Sequence, residues 1–373
     1  MRILLFSVLG FTALLLFLGK GVFANNKLVK TDITVVNRLN PIPGFSADDV
    51  DSIYSKVCNF LEGTRISIGI IEGDKATFFG LNKRNDTLFN ENNSELLFEI
   101  GSITKVMTAH VMCSLVEEGR IDLNTSILEY IPVKNERLSS ISLQHLANHT
   151  SGLPRLPNNL GIGALDPYKY YGPIDLIKYL ESIDQDLEIG KESVYSNLGF
   201  GLLGYALELV SKQSLENLYQ RYIFAPVNMD KSSTQLDLED EIAEPGLSSW
   251  GIKGNYWNFD VLAGAGAIKS SSSEMLKYLQ KLSGGSPEVM RLRSQTYQNE
   301  HYSLGNALVR SKSMTGDSIY WHNGGTGGFR SCMAFQEEKQ IGVIVLSNVN
   351  GLEKNSDNID AMCFELLRSR IKD

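Results

Sequence analysis

A chain of 373 residues is long enough to bury a large core in one domain or two lobes. With 43% hydrophobic and 21% charged residues it has an ordinary globular balance, not that of a disordered or repeat protein. A formal net charge of -8 makes nucleic acid and anionic membrane surfaces poor partners.

The chain opens with Arg2 and an apolar, acid-free run from Ile3 to Leu18, followed by Gly21-Val22-Phe23-Ala24, whose Val-x-Ala ending suits a signal peptidase. Residues 1–24 are therefore read as an export signal, which places the protein in a periplasm or outside the cell. An uncleaved anchor is the competing reading, because the run approaches the length of a membrane span. No cysteine lies near the cleavage point, which argues against a lipoprotein. Cleavage removes Arg2 and Lys20 and no acid, so the mature chain is more acidic still.

Residues 25–44 are polar and end in Pro41-Ile42-Pro43-Gly44, an extended leader. Ser46 followed by Asp49 has the pattern of a capping box, and Val50, Ile53, Val57, Cys58 and Leu61 recur at helical spacing up to Gly63. Ile66–Glu72 and Lys75–Gly80, parted by Gly73-Asp74, read as a strand hairpin. From Ser102 to Gly119 and on through the middle of the chain the periods are mostly helical, with loops rich in Gly, Pro, Ser and Asn around 150–166 and 244–272. Strands return at Ser303–Arg310, Ser318–His322, Phe329–Phe335 and Ile341–Ser347. Ile359, Met362, Cys363, Leu366 and Leu367 then mark a second amphipathic helix. Strands at both ends with helices between them imply one sheet built from both termini, covered by helices, with a helical lobe inserted. The expected lobes are 45–100 with 300–373, and 101–299, and a ligand site belongs in the cleft between them.

Four cysteines in an exported chain allow two disulfides, one or none. Cys58 and Cys363 lie on the apolar stripes of the first and last helices, so they are the pair to test if those helices pack together. Cys113 falls on a helix and Cys332 on a strand. Buried free thiols acting as small hydrophobes are the alternative.

The chemistry is carried by three short strings. Ser102 and Lys105 are one helical turn apart, so the amine can reach the hydroxyl. A serine is a weak nucleophile until a neighbour takes its proton, and a lysine can do so once desolvation or nearby charge lowers its pKa. A serine in the first helical turn also gains backbone N–H groups where an oxyanion would develop. Tyr195-Ser196-Asn197 runs into the glycine-rich apolar stretch Leu198–Glu208, which would fix the phenol where it could shuttle a proton. Short patterns recur by chance: Ser369-Arg370-Ile371-Lys372 also fits the first, and Tyr256-Trp257-Asn258 and Tyr297-Gln298-Asn299 fit the second. The third string, His322-Asn323-Gly324, lies on a late strand.

Order and flanks distinguish the real matches. Phe98-Glu99-Ile100-Gly101-Ser102-Ile103-Thr104-Lys105, Leu146-Ala147-Asn148-His149-Thr150-Ser151-Gly152-Leu153-Pro154, Tyr195-Ser196-Asn197-Leu198-Gly199 and Trp321–Phe329 follow one another as in the class C β-lactamase and DD-peptidase family of penicillin-recognising serine hydrolases. The chain resembles that family over essentially everything after residue 45. The resemblance implies an α+β fold: an antiparallel sheet flanked by terminal helices plus an all-helical lobe. It also implies that Ser102 is the acylated nucleophile, Lys105 its activating neighbour and Tyr195 the general base and acid. Asn197 would bond Lys105 and the substrate amide, and the N–H groups of Ser102 and Gly325 would form the oxyanion hole.

His322, Asn323 and Gly324 stand where class C β-lactamases generally show Lys-Thr-Gly. The family's DD-peptidases, esterases and peptide hydrolases often carry His-x-Gly, so this departure leans away from an efficient β-lactamase. A His322 protonated near neutral pH would still hold a substrate carboxylate. His149 reads as a loop-shaping residue, and His110, His145 and His301 show no metal-ligand spacing. Gly264–Ser270 and Gly324–Gly328 lack a Walker pattern and read as sites of close backbone approach, and no Gly-x-Ser-x-Gly occurs. No metal or organic cofactor is implied. The expected substrates are a D-amino-acid peptide, a β-lactam or a small ester. A penicillin-acylated sensor without turnover is the rival reading, and oligomeric state is not legible.

Overall fold

The computed structural model describes residues 35–161, 166–235, 241–283, 286–293, 297–298, 303–312 and 316–371. The export signal, most of the leader, His301, Asn299 and Lys372 lie outside these described residues. The first elements are strand β1 (Val36–Arg38), helix α1 (Ala47–Val57) and strands β2 (Arg65–Glu72), β3 (Lys75–Arg84), β4 (Thr87–Asn90) and β5 (Phe98–Glu99). The middle holds helices α2 (Thr104–Glu117), α3 (Leu143–Ala147), α4 (Pro173–Glu181), α5 (Asn197–Ser211) and α6 (Leu215–Tyr219), strand β6 (Lys269–Ser270), and helices α7 (Ser272–Leu282) and α8 (Pro287–Arg293). Strands β7 (Tyr297–Gln298), β8 (Ser303–Gly305), β9 (Leu308–Lys312), β10 (Ser318–Gly325), β11 (Arg330–Gln336) and β12 (Ile341–Ser347) lead to the last helix, α9 (Asn358–Ile371).

Ten strands make one sheet in the order β1-β4-β3-β2-β12-β11-β10-β9-β8-β7. Neighbours are antiparallel apart from β1 on β4. The N-terminal and C-terminal halves meet where β2 pairs with β12, Ile66 opposite Ser347 and Glu72 opposite Ile341. The leader is therefore more than a spacer: it supplies the edge strand β1.

Local chemistry explains the principal elements. Ser46 Oγ accepts from the Asp49 amide at 3.1 Å while Asp49 Oδ2 accepts from the Ser46 amide at 2.8 Å, closing the capping box that starts α1. Arg370 of α9 donates to the same Asp49 at 2.6 Å, which fastens the two terminal helices together. Gly73, at a φ of 61°, allows the two-residue turn that sets Glu72 opposite Lys75. One face of the sheet, with Ile66, Ile68, Ile70, Val343 and Val345, is buried under Val50, Ile53 and Val57 of α1 and Ile359, Met362 and Leu366 of α9. The other face carries α7, whose Leu276 and Leu279 press on Gly69 and Gly342. Helix α7 thus covers the sheet, although it falls within the span read as the helical lobe.

One expectation changes, and one open alternative is decided. Ser303–Arg310 is two strands, broken by a tight turn at Asn306-Ala307 with φ of 50° and 67°. Asn306 earns that conformation by donating its side-chain amide to Arg291 O at 2.9 Å and its backbone amide to Asn148 Oδ1 at 2.9 Å. All four cysteines carry free thiols. Cys58 turns to the Ser55 carbonyl and Cys363 to the carbonyls of Cys332 and Val343, so the two terminal helices pack without a covalent link. Among the described residues no helix is long and apolar enough to cross a membrane.

Candidate active site

Ser102 lies in a single 3-10 turn, Gly101–Ile103, that runs directly into α2. Helix α2 is buried from Thr104 to Leu115, so it places a rigid N-terminus inside the protein. The Lys105 amine comes within 3.1 Å of Ser102 Oγ and donates to the Ala265 carbonyl at 2.6 Å. It is wholly buried, and no carboxylate contributes to its proton affinity. Burial first, and the positive charge of Arg155 second, hold its pKa well below the ordinary lysine value.

The Ala265 carbonyl reaches Lys105 because glycines allow backbones to touch. A side chain at Gly201 would lie 2.2 Å from Leu262, and one at Gly204 would lie 3.1 Å from the Gly264 backbone. The glycine-rich α5 therefore accepts segment 262–265 flush against it. Close approach was the expected role of Gly264–Ser270, and the packing shows it.

Tyr195 precedes α5 and hydrogen bonds Ser102, while burial pushes its phenol up to about 12. Its ring is held by three neighbours: His149 at a centroid distance of 4.5 Å, the Lys105 amine at 4.9 Å and the Arg155 guanidinium at 5.0 Å. His149, in left-handed backbone at φ 59°, accepts the Ser196 amide on Nδ1 at 3.0 Å. It thereby helps to fix the Tyr195 turn, a contact beyond the shaping of its own loop that the sequence led one to expect. Asn197 lines the cleft but does not bond Lys105: its side-chain amide donates to Tyr168 OH at 3.2 Å, and its Oδ1 has no partner among the described residues. The Ala265 carbonyl occupies the place expected of Asn197 at Lys105.

The end of β10 runs against the serine turn. A Cβ at Gly324 would sit 2.0 Å from Ile100 O and 2.9 Å from the Ser102 amide nitrogen, and one at Gly101 would sit 2.7 Å from the Gly325 nitrogen. This contact brings the Ser102 and Gly325 N–H groups to the same cleft. Strand alternation divides the rest of the string. His322 faces the cleft side, with its ring 6.4 Å from Tyr195. Asn323 points through the sheet, donating to Asp360 Oδ2 of α9 at 2.7 Å, and does not reach the site. The expected cationic His322 is also corrected: burial and the neighbouring Lys105 push its pKa down to about 3. Its Nδ1 lies 2.6 Å from the Asn323 carbonyl, an acceptor, so that nitrogen carries the proton and Nε2 remains an acceptor.

Sequence reasoning passed over several residues that complete the cleft. Tyr168, stacked on Phe259 at 4.6 Å, and Trp257 form an aromatic wall beside Ser102. Glu99 is buried three residues before the serine, accepting from Thr326 Oγ1 at 2.5 Å and the Trp257 amide at 2.6 Å. It pins the residue after Gly325 to the opposite wall. A buried acid within the apolar string Phe98–Ile100 was the available signal. The chance matches fall elsewhere: Tyr256 OH bonds Ala243 O, and Ser369 bonds its own helix. Among the described residues no group of His, Cys, Asp and Glu could hold a metal ion.

Residues 66–362 match the beta-lactamase family. The chain is 26% identical over 376 residues to the D-alanyl-D-alanine-carboxypeptidase/endopeptidase AmpH of Escherichia coli (strain K12), covering 91% of this chain and 94% of that one. It is 23% identical over 348 residues to a beta-lactamase of Pseudomonas fluorescens, covering 81% and 93%. In fold it is similar to a beta-lactamase/D-alanine carboxypeptidase from Yersinia pestis, with a TM-score of 0.72, 24% identity and coverage of 85% and 95%. It is likewise similar to a class C beta lactamase from Rhodobacter sphaeroides, with a TM-score of 0.74, 19% identity and coverage of 88% and 100%.

Proposed function

The chain belongs to the beta-lactamase family and is a serine hydrolase, and from that premise we propose that it is an exported enzyme cleaving D-alanyl-D-alanine-type peptides through an acyl-enzyme on Ser102. The observation that carries this reading is the Lys105 amine, buried without an acid and 3.1 Å from Ser102 Oγ. Such an amine holds its proton less tightly than an ordinary lysine and is suited to take the serine proton.

Ser102 Oγ attacks the carbonyl as its proton passes to Lys105, and the oxyanion is stabilised by the N–H groups of Ser102 and Gly325. The C–N bond then breaks. The Tyr195 phenol, too weak an acid to rest as phenolate, gives its proton to the departing amine and recovers one from Lys105. Water enters by the reverse relay and releases the acyl group from Ser102. Asn197 Oδ1 and His322 Nε2 are acceptors suited to substrate N–H groups.

The substrate class draws support from the carboxypeptidase relative, whose likeness spans 94% of its own length. A neutral His322 in place of a fixed cation also distances the site from an efficient β-lactamase. Export rests on the apolar run Ile3–Leu18 and the Val22-x-Ala24 ending.

Rates on a D-alanyl-D-alanine peptide, nitrocefin and a short-chain nitrophenyl ester, measured side by side, test the reading. The peptide should give the highest kcat/KM, and Ser102→Ala should abolish turnover. A β-lactam turned over faster than the peptide overturns the substrate class, and undiminished turnover in Ser102→Ala overturns the nucleophile. Stoichiometric labelling by a fluorescent penicillin, with no turnover of any substrate, would make the protein a sensor.

A further inference from the structure

The cations around the cleft differ in what neutralises them. Lys105 and His322 are buried, and their affinity for a proton is depressed. Lys269 faces Glu99, and Arg330 pairs with Asp360 on the far side of the sheet. Arg155 is different: it is exposed, and no carboxylate among the described residues forms an ion pair with it. Its guanidinium lies over the Tyr195 ring, 5.0 Å from the centroid.

Its backbone is fixed to the catalytic turn. The Arg155 carbonyl accepts the amides of Asn197 at 3.0 Å and Leu198 at 3.2 Å, and Ser196 Oγ donates to the Pro154 carbonyl at 2.7 Å. The guanidinium thus stands on a loop fastened by its backbone to the turn that carries Tyr195 and Asn197. Its positive charge is felt at Lys105, His149, Tyr168 and Tyr195 alike. A guanidinium that forms no ion pair among the described residues is free to meet an anion.

We propose that Arg155 anchors a substrate carboxylate carried close to the scissile bond, the task first expected of His322. This rests on the acyl-enzyme reading of Ser102 and narrows its substrates to those with an anionic group on the acyl or the leaving side. Both sources share the same chemistry, a carboxylate meeting a guanidinium.

Two matched ester pairs distinguish them and do not depend on peptide cleavage. One pair is para-nitrophenyl hemisuccinate against para-nitrophenyl butyrate, with the charge on the acyl side. The other is meta-carboxyphenyl acetate against phenyl acetate, with the charge on the leaving side. In Arg155→Gln the ratio of kcat/KM, charged over neutral, should fall about tenfold for one pair relative to the wild type, as for a lost charge-assisted contact. Arg155→Lys should keep part of that ratio, and high salt should erode it in the wild type. If Arg155→Gln slows both members of both pairs equally, Arg155 only supports the Tyr195 ring and the proposal fails. Should that variant not fold, the wild-type ratio decides: loss in high salt supports the anchor, and indifference to salt overturns it. Hydrolysis that survives Ser102→Ala would instead overturn the acyl-enzyme reading, a separate result.

Discussion

The two faces of β10 handle buried charge in opposite ways. On the face toward α9, Arg330 and Asp360, each with a side chain only 4% exposed, meet at 2.6 Å, and Asn323 adds a third hydrogen bond at 2.7 Å. On the cleft face, Lys105 and His322 are also buried, yet among the described residues no carboxylate pairs with either. A buried cation that meets a carboxylate remains a charge and becomes structure. One that meets only carbonyls and a hydroxyl loses its affinity for the proton and becomes a base.

Substitutions on each face test this contrast. Lys105→Met should lower kcat/KM by about 10²–10⁴-fold, the usual worth of a positioned base. The same change should stabilise the fold by about 1 kcal/mol in chemical denaturation, because it removes a poorly solvated amine. A destabilised Lys105→Met would break the comparison. Gly324→Ala should cost about 10²–10³-fold in kcat, since the added methyl must push the strand away from Ile100 O and the Ser102 amide. On the other face, Asp360→Ala should cost about 3 kcal/mol of stability by leaving the buried Arg330 only the half-exposed Asp357, and its activity per folded molecule should suffer far less.

The smallest effect concerns Glu99. Burial, opposed by the Thr326 hydroxyl and Lys269, raises its carboxyl to about 7. Its folded pKa exceeds the ordinary 4.5, so its contribution is full below pH 4.5 and is lost as pH rises towards about 7. Glu99→Gln should flatten the melting temperature across that window. A wild-type melting temperature that rises through the same window contradicts the assignment.

Much of this contrast was legible in the sequence, and one half of it was misread. Ser46 and Asp49 announced α1, Gly73-Asp74 announced the first hairpin, and the order of the Ser102, Tyr195 and His322 strings announced the site, because each depends on local spacing. Period-two alternation also required Asn323 to face away from His322 and Gly324, a signal present in the strand pattern but not applied. What the sequence withheld was burial and long-range contact. Nothing near His322 in the chain reveals that it is neutral, and nothing near Lys105 reveals the Ala265 carbonyl, 160 residues away in sequence. The turn at Asn306-Ala307 was hidden for the same reason, since its anchors Asn148 and Arg291 come from other elements. Arg155 stood next to a recognised string, but its partner, the Tyr195 ring, is supplied by the fold.

The most direct test of a neutral Lys105 is the pH dependence of Ser102 acylation, followed by stopped-flow labelling with a fluorescent penicillin in the wild type and in Lys105→Met. The acylation rate should reach its plateau with a midpoint well below the ordinary lysine value of about 10.4, and the limb should vanish in the variant. A rate still climbing through the ordinary lysine range, or an acid limb that survives Lys105→Met, would contradict a neutral Lys105 as the base.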